Sequence, residues 1–369
     1  MNKLGFDKTP NDTRIVVAMS GGVDSSVTAA LMVEQGFEVI GMTLQLYDHG
    51  AVTNRKNSCC AGQDIHDARR VADTLDIPHY VLDYESRFKE KVIKEFAASY
   101  MSGETPIPCV RCNQTVKFHD LLGHAHSLGA DALVTGHYVR RILGSKGPEL
   151  HRARDNNKDQ SYFLFATTPQ QLDFLRFPLG EMEKSETRAH ADRFDLPVAN
   201  KPDSQDICFV PNGSYAGIVE RLHPEASDAG DIIDESGKKI GRHNGIIHYT
   251  VGQRKRLGIA NSEPLYVIKI DPEKKQIIAG PKQSLLKKSF LVHEVNWLGD
   301  GQAPCQNLSV DVKLRSTSDQ VGAKIINFSN GKAAIELDEP QEGIAPGQAC
   351  VFYNGERTLG GGWIDRNDS

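Results

Sequence analysis

Between Arg14 and Thr135 the chain alternates short apolar runs with amphipathic segments, and this alternation restricts the fold more than any other feature. The run Arg14–Met19 is apolar and leads into a glycine pair, as a buried strand of a parallel sheet does. The segment Gln63–Leu75 places its apolar side chains on one face of a helix. Strands that alternate with helices form a parallel sheet, which binds ligands at the carboxyl ends of its strands. We therefore predict an α/β fold with a Rossmann-like parallel sheet.

The second half of the chain shows β-strand signals instead. The segment Asp231–Ile240 is typical of a hairpin, and strand signals at Leu265–Ile270 and Gln276–Ala279 flank a second turn. Beyond Phe290 almost the whole pattern is that of strands. We therefore predict two small β-rich domains after the α/β domain. The predicted boundaries give an α/β domain at residues 1–210, a central β-rich domain at 211–288 and a C-terminal β-barrel domain at 289–369.

Composition and charge exclude several classes of protein. The chain has 369 residues, 39% of them hydrophobic and 25% charged, which is the composition of a globular protein. No run approaches the roughly 18 apolar residues of a membrane span, and Met1–Arg14 lacks the apolar core of a secretory signal. Seven cysteines are too few for a disulfide scaffold. We expect a cytoplasmic protein, and a net charge of -5 argues against a general nucleic-acid coat while allowing a local basic patch.

The strongest motif, Ser-Gly-Gly-x-Asp-Ser, lies at the junction of the first predicted strand and the first predicted helix. Its glycines allow a tight turn that brings backbone N–H groups close to an anion, and the helix N-terminus behind them favours phosphate. The string is neither a Walker loop nor a Gly-x-Gly-x-x-Gly dinucleotide turn. Serine hydroxyls add donors, and Asp24 is placed to help position Mg²⁺. We predict a nucleotide-phosphate site formed by Ala18, Met19, Ser20, Gly21, Gly22, Val23, Asp24, Ser25 and Ser26.

Two further segments carry cysteines. Gly103–Phe118 contains Cys109 and Cys112, and its glycine and prolines predict an ordered loop able to present a thiol. Lys201–Val210 is also loop-like and carries Cys208. In a reducing compartment such cysteines are more often catalytic, metal-binding or buried than bridged. The residues alone leave thiol catalysis and metal binding both open.

These motifs together resemble known families. The nucleotide loop resembles that of the N-type ATP pyrophosphatases, which adenylylate a carbonyl oxygen and release pyrophosphate. Thr-Pro-x-Pro followed by Cys-Asn, the string Asp-Ser-x-x-Ile-Cys-Phe, and Gly252–Ile259 together resemble the tRNA-specific 2-thiouridylases, from Ser20 to Gln348. That resemblance implies ATP-dependent 2-thiolation of the wobble uridine of tRNA. It also implies ATP with Mg²⁺, tRNAs such as those for Lys, Glu and Gln, and a persulfide-donating sulfurtransferase or cysteine desulfurase as partner.

The resemblance implies roles for individual residues as well. Cys112 matches the catalytic nucleophile, and Cys208 matches the cysteine that receives sulfur as a persulfide. Leu44 and Gly136 match further nucleotide contacts. Ile107, Pro108 and Cys109 match the segment that touches the target base. Positions that match contacts to tRNA are His137, Lys158, Asp159, Gln160, Arg315, Ser316 and Gln348. Between Thr250 and Phe290, nine Lys/Arg against three acidic residues provide a basic stretch for tRNA phosphates.

The implied reaction has two stages. O2 of a flipped uridine attacks the α-phosphate of ATP, and pyrophosphate leaves. The Cys208 persulfide then delivers sulfur to C2, directly or as hydrosulfide released when Cys112 attacks, and a Cys112–Cys208 disulfide is left. One position departs from the family, because Cys109 stands where an aspartate is proposed as the acid/base group. Proton transfer then falls to a perturbed Cys109, to water, to Asp203 or to the leaving phosphate.

Two other functions stay open on the same residues. An ATP-dependent amide or amidine synthetase shares the loop but needs no cysteine. An iron–sulfur protein would use the thiolates of Cys109, Cys112 and Cys208 and leave one coordination position open. A pure RNA-binding module would leave the nucleotide loop without a purpose.

Overall fold

The computed structural model describes residues 1–47, 60–203, 207–210, 215–301 and 306–366. The chain divides into two compact units. The first comprises residues 1–91, 110–209 and 356–358, and the second comprises 92–109, 210–355 and 359–369. The three domain boundaries derived from the sequence stay a prediction. In the described part of the chain, no helix combines the length and the apolar character that crossing a bilayer requires.

The first unit is built around a five-stranded parallel sheet. In spatial order its strands are β3 (His79–Asp83), β2 (Glu38–Gln45), β1 (Arg14–Ala18), β4 (Ala132–Val134) and β7 (Leu175–Arg176). Ile15, Val16 and Val17 of β1 are fully buried, as in a sheet that is covered on both faces. The predicted Rossmann-like α/β fold is confirmed.

Helices alternate with these strands. The first two are α1 (Val23–Glu34), which follows β1, and α2 (Cys60–Thr74), which follows β2. The later α-helices of the chain are α3 (Glu85–Phe88), α4 (Lys94–Met101), α5 (Pro108–Cys112), α6 (Leu122–Ser127), α7 (Ser161–Leu164), α8 (Pro169–Phe174), α9 (Lys184–Arg193) and α10 (Tyr215–Leu222). Short 3₁₀-helices lie at Pro10–Asp12, Pro178–Glu181, Pro224–Ser227, Ile246–His248 and Lys282–Leu285. A π-helical turn, Lys89–Ile93, joins α3 to α4.

The strand order places a ligand site beside β1. The chain passes from β1 to β2 on one side, whereas β4 pairs with β1 on the other side. In open parallel sheets, ligands bind outside the carboxyl ends of the strands at such a switch point. The segments Met19–Gly22, after β1, and Thr135–Tyr138, after β4, both begin at this edge. The fold therefore puts the predicted nucleotide motif where this kind of sheet binds its ligand.

The predicted loop Gly103–Phe118 is wrong from Pro108 onward. α5 begins at Pro108, and the helical chain continues as a π-helix over Asn113–Leu121. Proline is tolerated at the first helical position because its missing N–H would have no partner inside the helix. Cys109 and Cys112 therefore lie on a helix. π-helical turns are rare and frequently occur at functional sites.

A hairpin that the sequence patterns did not predict follows β4. Its antiparallel strands are β5 (Val139–Gly144) and β6 (Gly147–Arg152). Arg357 and Thr358, from near the C-terminus, pair with β6 and extend it. The hairpin runs from Tyr138 to the loop that contains Lys158–Gln160, so it positions the predicted tRNA-contacting triplet.

The second unit contains two β structures. Its four-stranded sheet has the order β10 (Tyr266–Asp271), β11 (Gln276–Gly280), β8 (Gly230–Ile233) and β9 (Lys239–His243). Its antiparallel barrel has the order β12 (Lys287–Trp297), β15 (Lys332–Gln341), β14 (Val321–Ser329), β13 (Gln306–Lys313), β16 (Ala349–Asn354) and β17 (Arg357–Ile364, which enters this unit at Leu359). Pairing of β12 with β17 closes the barrel around a core that includes Val292, Val312 and Ile335. The predicted β-rich second half is confirmed.

Candidate active site

The nucleotide loop has a shape that requires glycine at two positions. Gly21 has a φ of 73°, and a Cβ there would lie 2.1 Å from Asp64 O on α2. Gly136, after β4, packs so closely on α1 that a Cβ would lie 2.8 Å from Asp24 C and 2.9 Å from Ser25 N. The two glycines therefore let the chain after β1 and after β4 approach neighbouring backbone closely. This close approach puts the first turn of α1, with its unpaired N–H groups, at the switch point.

The serines of the motif differ in what they offer a ligand. Ser25 Oγ accepts a hydrogen bond from Ser20 N at 3.1 Å and donates to Gly22 O at 3.1 Å. Ser26 is fully buried, and its hydroxyl donates to Gly22 O at 2.8 Å. Ser20 is exposed. Ser20 is therefore the most open of the three serines, although its hydroxyl lies 3.2 Å from that of Ser25. Ser25 and Ser26 also hold the loop, and binding of phosphate by the three hydroxyls stays a prediction.

The end of β2 lies at the same edge of the sheet. Thr43 donates through Oγ1 to Met19 O at 2.7 Å, and the same hydroxyl lies 2.8 Å from His79 Nε2. Leu44 follows Thr43 and is half-buried. Ala18 pairs in register with Met42. The predicted contact Leu44 and the predicted loop residues Ala18 and Met19 are therefore brought together.

Asp24 begins a charged network at the start of α1. Its Oδ1 accepts hydrogen bonds from the Tyr138 hydroxyl at 2.9 Å and from Lys184 Nζ at 2.6 Å. Burial and the charge of Asp24 raise the pKa of Tyr138, so its hydroxyl stays protonated. Asp155 orients the lysine, because its Oδ2 accepts a hydrogen bond from Lys184 N at 3.0 Å. Asp24 is thus paired with a lysine that lies 160 residues later in the chain.

Asp203 lies at the centre of the same network. Its carboxylate is 2.9 Å from Lys158 Nζ, 3.0 Å from Lys184 Nζ and 2.6 Å from Arg188 Nη2. Burial by itself raises the pKa of Asp203, but hydrogen bonds from Lys158 and Lys184 and their charges outweigh it, so the pKa falls well below its usual range. A carboxylate with so low a pKa is a weak base. Asp203 is therefore a poor proton acceptor while these three cations hold it.

Lys201 fastens the segment that precedes Cys208 to the nucleotide loop. Its Nζ donates to Gly21 O at 2.9 Å, and it lies 2.7 Å from both Asp64 Oδ1 and Asp67 Oδ2. Burial lowers the pKa of Lys201, but hydrogen bonds with the two carboxylates outweigh it and raise that pKa. The charged ammonium therefore holds the Gly21 carbonyl against α2.

The two predicted catalytic cysteines differ in exposure. Cys112 ends α5 and is buried, whereas Cys208 is exposed. Asn113, next to Cys112, donates through Nδ2 to a backbone carbonyl of α7 at 3.2 Å. Phe209, next to Cys208, is buried and packs edge-on against Phe88 with ring centroids 5.7 Å apart. Both cysteines therefore adjoin anchored residues, and the exposed one suits a sulfur carrier that must meet a donor protein.

The segment Lys158–Gln160, predicted to contact tRNA, is tied into the same unit. The side chain of Asp159 is 1% exposed. Its carboxylate accepts four hydrogen bonds, from Ala153 N, Ser161 N, Ser161 Oγ and Arg152 Nε. Gln160 Oε1 accepts a hydrogen bond from Tyr138 N at 2.8 Å. The side chains of Asp159 and Gln160 therefore shape the loop, and the contact of Lys158–Gln160 with tRNA stays a prediction.

His137 is a neutral hydrogen-bonding group. Its Nδ1 lies 2.7 Å from Thr135 Oγ1, and its ring packs edge-on against Phe118 with centroids 5.8 Å apart. Burial, together with the charge of Lys117, lowers the pKa of His137 to about 3. The ring is therefore uncharged near neutral pH and suits a hydrogen bond to a base or ribose better than an ion pair with phosphate.

Below neutral pH, we expect the free energy of unfolding to depend less on pH in His137→Asn than in the wild type. An unfolded chain protonates His137 near pH 6.5, whereas the folded chain does so only near about pH 3, so the wild type loses stability as the pH falls through this range. One such group contributes a slope of about 1.4 kcal/mol per pH unit to the free energy of unfolding. Urea unfolding of both proteins from about pH 4 to neutral pH measures the slopes. Identical slopes would contradict a neutral His137.

In the second unit, Gln348 is joined to the segment that leads into α5. Gln348 Nε2 donates to Thr105 O at 2.9 Å, and Thr105 N donates to Pro346 O at 2.8 Å. Beyond Thr105, Ile107 is half-buried, Pro108 is buried and Cys109 is exposed. The structure therefore brings the predicted contact Gln348 to the backbone just before the segment Ile107–Cys109, which is predicted to touch the target base.

Arg315 lies beside a basic segment of the second unit. Its Nε donates to Gly343 O at 3.3 Å, and a Cβ at Gly252 would lie 3.7 Å from its guanidinium group. Arg254, Lys255 and Arg256, which follow Gly252, are exposed, as is Arg315 itself. Ser316 is half-buried. The predicted contact Arg315 and the start of the Gly252–Ile259 motif therefore form one cationic surface.

The sequence patterns missed four residues that organise the site: Tyr138, Lys184, Arg188 and Lys201. Tyr138 and Lys201 belong to motifs that were recognised, but nothing in those strings indicates what they pair with. Lys184 and Arg188 are four residues apart on α9, a spacing that places two cations on one helical face. That pair of cations is the sequence signal that points to an anion-binding face.

The sequence implies two metal groups, an iron–sulfur cluster and the Mg²⁺ that accompanies ATP, and the described residues support them unequally. Among the residues described, no three His, Cys, Asp or Glu side chains gather closely enough to hold a metal ion, so the iron–sulfur alternative gains no support. Mg²⁺ that accompanies ATP is commonly held by one or two carboxylates together with phosphate oxygens. Asp24, at the start of α1, is a carboxylate that suits this role.

Comparison with known proteins relates the chain to one family. Residues 13–212 match the family model of the tRNA methyl transferase HUP domain, 218–281 that of the tRNA methyl transferase PRC-barrel domain and 287–364 that of the aminomethyltransferase beta-barrel domain. The chain is 59% identical over 377 residues to the tRNA-specific 2-thiouridylase MnmA of Rhodospirillum centenum, covering 100% of this chain and 96% of that protein. It is 58% identical over 379 residues to the protein of the same name from Parvibaculum lavamentivorans, covering 100% and 95% of the two chains. The chain therefore belongs to the tRNA-specific 2-thiouridylase family.

Proposed function

We propose that this protein uses ATP to convert the wobble uridine of tRNA into 2-thiouridine. One observation carries the proposal: the segment before Cys208 is fastened to the nucleotide loop, because Lys201 binds Gly21 O and Asp203 shares Lys184 with Asp24. A site for ATP and a cysteine suited to carrying sulfur are thereby joined in one compact unit. The relatives, which are named for acting on tRNA, support tRNA as the substrate.

The nucleotide loop serves the first stage. The N–H groups at the start of α1 and the Ser20 hydroxyl bind the phosphates of ATP. Asp24 would hold Mg²⁺, which would supply positive charge against that of the phosphates. O2 of the uridine attacks the α-phosphorus, the bond to the β-phosphate breaks, and pyrophosphate leaves. The oxygen is now bonded to AMP and has become a good leaving group at C2.

The two cysteines serve the second stage. The terminal sulfur of the Cys208 persulfide attacks C2, and AMP leaves with the former O2. The Cys112 thiolate then attacks the Cys208 sulfur, which breaks the sulfur–sulfur bond and leaves 2-thiouridine and a Cys112–Cys208 disulfide. If Cys112 attacks the persulfide first, hydrosulfide is released and attacks C2, and the products are the same. A thiol reductant outside the protein, followed by a persulfide donor, restores the enzyme.

Proton transfer in this scheme does not use Asp203. Its three cationic partners keep it ionised and weakly basic. The uridine N3 proton is lost when O2 attacks, so the acceptor is water, the leaving phosphate or Cys109. Cys109 is exposed on α5 and belongs to the segment Ile107–Cys109, which is predicted to touch the base.

The second unit is proposed to bind tRNA. Arg254, Lys255, Arg256 and Arg315 present exposed charge for the phosphate backbone, so affinity should fall steeply with salt. Gln348 supports the segment Ile107–Cys109 at the target base. The tRNAs for Lys, Glu and Gln are the proposed substrates, with a cysteine desulfurase or sulfurtransferase as the persulfide donor.

A thiolation assay tests the proposal. Wobble-uridine tRNA is incubated with ATP, Mg²⁺ and a persulfide donor, and 2-thiouridine is read by retarded migration on a mercury gel. Because each cysteine has a covalent role, Cys112→Ser and Cys208→Ser should each reduce thiolation by about a thousandfold or more. Cys208→Ser should still release pyrophosphate in the presence of tRNA, since adenylylation precedes sulfur transfer.

Cys350→Ala is the matched control, because Cys350 is fully buried in the barrel and burial raises its pKa. It should thiolate as the wild type does. Cys109 stands where the family has an aspartate, and Cys109→Ser tests whether this difference matters for the reaction. The variant should lose activity if Cys109 accepts the proton. Thiolation that survives loss of both Cys112 and Cys208 would refute the sulfur chemistry. AMP formation on an acceptor other than tRNA would favour the amide or amidine synthetase.

A further inference from the structure

Arg315 presents an exposed positive charge from a well-defined turn of the second unit. The turn follows β13, and Ser318 Oγ accepts a hydrogen bond from Arg315 N at 3.3 Å and donates one to Arg315 O at 3.1 Å. Among the residues that the structure describes, no carboxylate pairs with the guanidinium group. The backbone of Arg315 is therefore held in place, while its charge stays available to an anion from outside the chain.

The guanidinium group of Arg315 occupies the space that a side chain at position 343 would need. A Cβ on Gly343 would lie 1.4 Å from Arg315 Nη2, 2.2 Å from Cζ and 2.7 Å from Nε. Among the glycines that the structure describes, this is the shortest such approach. In addition, Arg315 Nε donates to Gly343 O at 3.3 Å. Only glycine at position 343 therefore leaves room for the guanidinium group where it lies.

The barrel core holds Gly343 itself in place. Gly343 is buried, has a φ of 75° and follows β15. The next two residues, Ile344 and Ala345, are 2% and 3% exposed, and Ile344 belongs to the barrel core. Because this packing fixes the backbone, Gly343 O is an acceptor at a constant position. The orientation of the Arg315 side chain is thus determined by a rigid part of the barrel.

Gly252 leaves the guanidinium group uncovered on another side. A Cβ there would lie 3.7 Å from Arg315 Nη2, which is an ordinary contact distance, so a longer side chain would cover that atom. The turn is tied to β10, because Gly252 N donates to Val267 O at 2.8 Å and Val267 N donates to Gln253 O at 2.9 Å. The exposed residues Arg254–Arg256 follow directly. Nη2 therefore stays open beside a turn that carries three further cations.

We propose that Gly343 is a positioning residue for tRNA binding: it leaves room for the Arg315 guanidinium group and so presents that group to a backbone phosphate in its binding orientation. This inference deepens the proposed function and rests on it, because it assumes that Arg315 contacts tRNA. A guanidinium group can donate two parallel N–H bonds to a phosphate, so its orientation matters more than that of an ammonium group. An arginine that is already held loses less conformational freedom on binding than one that moves freely.

An alanine at position 343 should displace the arginine rather than disrupt the barrel. The atoms that its Cβ would meet belong to the far end of a long, flexible side chain, which can turn into solvent. The packing of Ile344 and Ala345 does not depend on that side chain. The charge would remain at the surface, but the bond from Nε to Gly343 O and the orientation of the group would be lost. The substitution therefore separates the position of the charge from its presence.

Gly343→Ala tests the inference, with Gly331→Ala as the matched control. Gly331 precedes β15 as Gly343 follows it, and its φ is 71°, so alanine is strained to a similar extent at both positions. A Cβ on Gly331, however, meets no atom within 4 Å. Binding to wobble-uridine tRNA is measured by fluorescence anisotropy between about 50 and 200 mM salt.

We expect Gly343→Ala to bind tRNA about fivefold or more weakly than the wild type. The slope of log affinity against log salt should fall by about one, because one phosphate contact is lost. Gly331→Ala should match the wild type in affinity and slope, and the two variants should have similar melting temperatures. Equal tRNA affinity of Gly343→Ala and Gly331→Ala would overturn the proposal.

Arg315→Ala shows whether Gly343 acts through the arginine. Adding Gly343→Ala to Arg315→Ala should cause no further loss of tRNA affinity, because there is no guanidinium group left to displace. A further loss as large as the one in the wild-type background would mean that Gly343 acts by another route, and it would also overturn the proposal.

Arg315→Lys keeps the inference testable if Gly343→Ala does not fold. Lysine keeps the charge but lacks the planar group that lies against Gly343, so Arg315→Lys should bind tRNA nearly as weakly as Arg315→Ala. Wild-type affinity in Arg315→Lys would show that the charge alone suffices and that its orientation does not matter.

Failure of this inference differs from failure of the proposed function. Arg315→Ala with wild-type affinity for tRNA would overturn both the inference and the proposed role of Arg315. A wild type that thiolates tRNA, with Arg315→Ala weakened and Gly343→Ala indistinguishable from Gly331→Ala, refutes the positioning role alone.

Discussion

Gly21→Ala is expected to reduce ATP-dependent thiolation by about a hundredfold or more while the protein stays folded. The new Cβ would lie 2.1 Å from Asp64 O, and the backbone φ of 73° is strained for alanine. The loop can relieve the clash only by moving away from α2, which shifts the N–H groups aimed at the phosphates. It also breaks the contact between Gly21 O and Lys201 Nζ. The loss should appear both in the affinity for ATP, by calorimetry, and in the rate of thiolation.

Gly62→Ala is the control for this substitution. Gly62 lies on α2, close in sequence to Asp64, but a Cβ there meets no atom within 4 Å. Alanine is favoured over glycine by about 0.5–1 kcal/mol only in a helix interior, and Gly62 lies in the first turn of α2. Gly62→Ala should therefore be about as stable as the wild type and fully active. Gly21→Ala with wild-type affinity for ATP would show that the loop does not bind phosphate.

The parts of the fold that follow local rules could be predicted from the sequence. β1 and the glycine pair after it define a strand, a tight turn and a helix start within fewer than 20 residues, and the structure contains all three. The hairpin Asp231–Ile240 was predictable for the same reason, since its turn residues lie between its own strands. The Ser-Gly-Gly-x-Asp-Ser motif thus lies at the edge of the sheet where parallel sheets bind their ligands.

The contacts that complete the site could not be predicted, because their partners are far apart in the chain. Lys201 reaches Gly21 across 180 residues, and Lys184 reaches Asp24 across 160. No pattern within a window of sequence relates such positions, and a lysine in a polar segment is ordinarily a solvated side chain. The π-helix after Cys112 was missed for a related reason, since its hydrogen bonds depend on packing rather than on local propensity.

Resemblance to a family indicates which positions of the chain match functional residues, but it does not indicate what surrounds their side chains. Lys158, Asp159 and Gln160 were assigned to tRNA together, yet their side chains face different partners. Lys158 pairs with Asp203, Gln160 supports the Tyr138 backbone, and Asp159 is enclosed by four donors. Substitutions at the three positions should therefore have different effects, and we expect the largest loss of stability at Asp159.

Asp159→Ala is expected to lower the free energy of unfolding by about 3–5 kcal/mol, because it leaves Arg152 and the backbone N–H groups of Ala153 and Ser161 without their buried acceptor. Urea or thermal unfolding of the purified protein measures the loss. Asp159→Asn, which keeps the shape and one acceptor oxygen, should lose less, about 1–3 kcal/mol. The affinity of the folded fraction for tRNA should change little, since the carboxylate is not presented to a ligand.

Asp173→Asn provides the contrast for this prediction. Asp173 also pairs with an arginine, Arg141, at 3.1 Å, but its side chain is 74% exposed. Because solvent reaches this carboxylate and screens the pair, the pair should contribute only about 0–1 kcal/mol, and the substitution should barely change stability. Asp159→Ala could instead prove as stable as Asp173→Asn and bind tRNA much more weakly than the wild type. That result would make Asp159 a direct contact to tRNA. The two measurements together therefore decide whether this position acts through the loop or on the RNA.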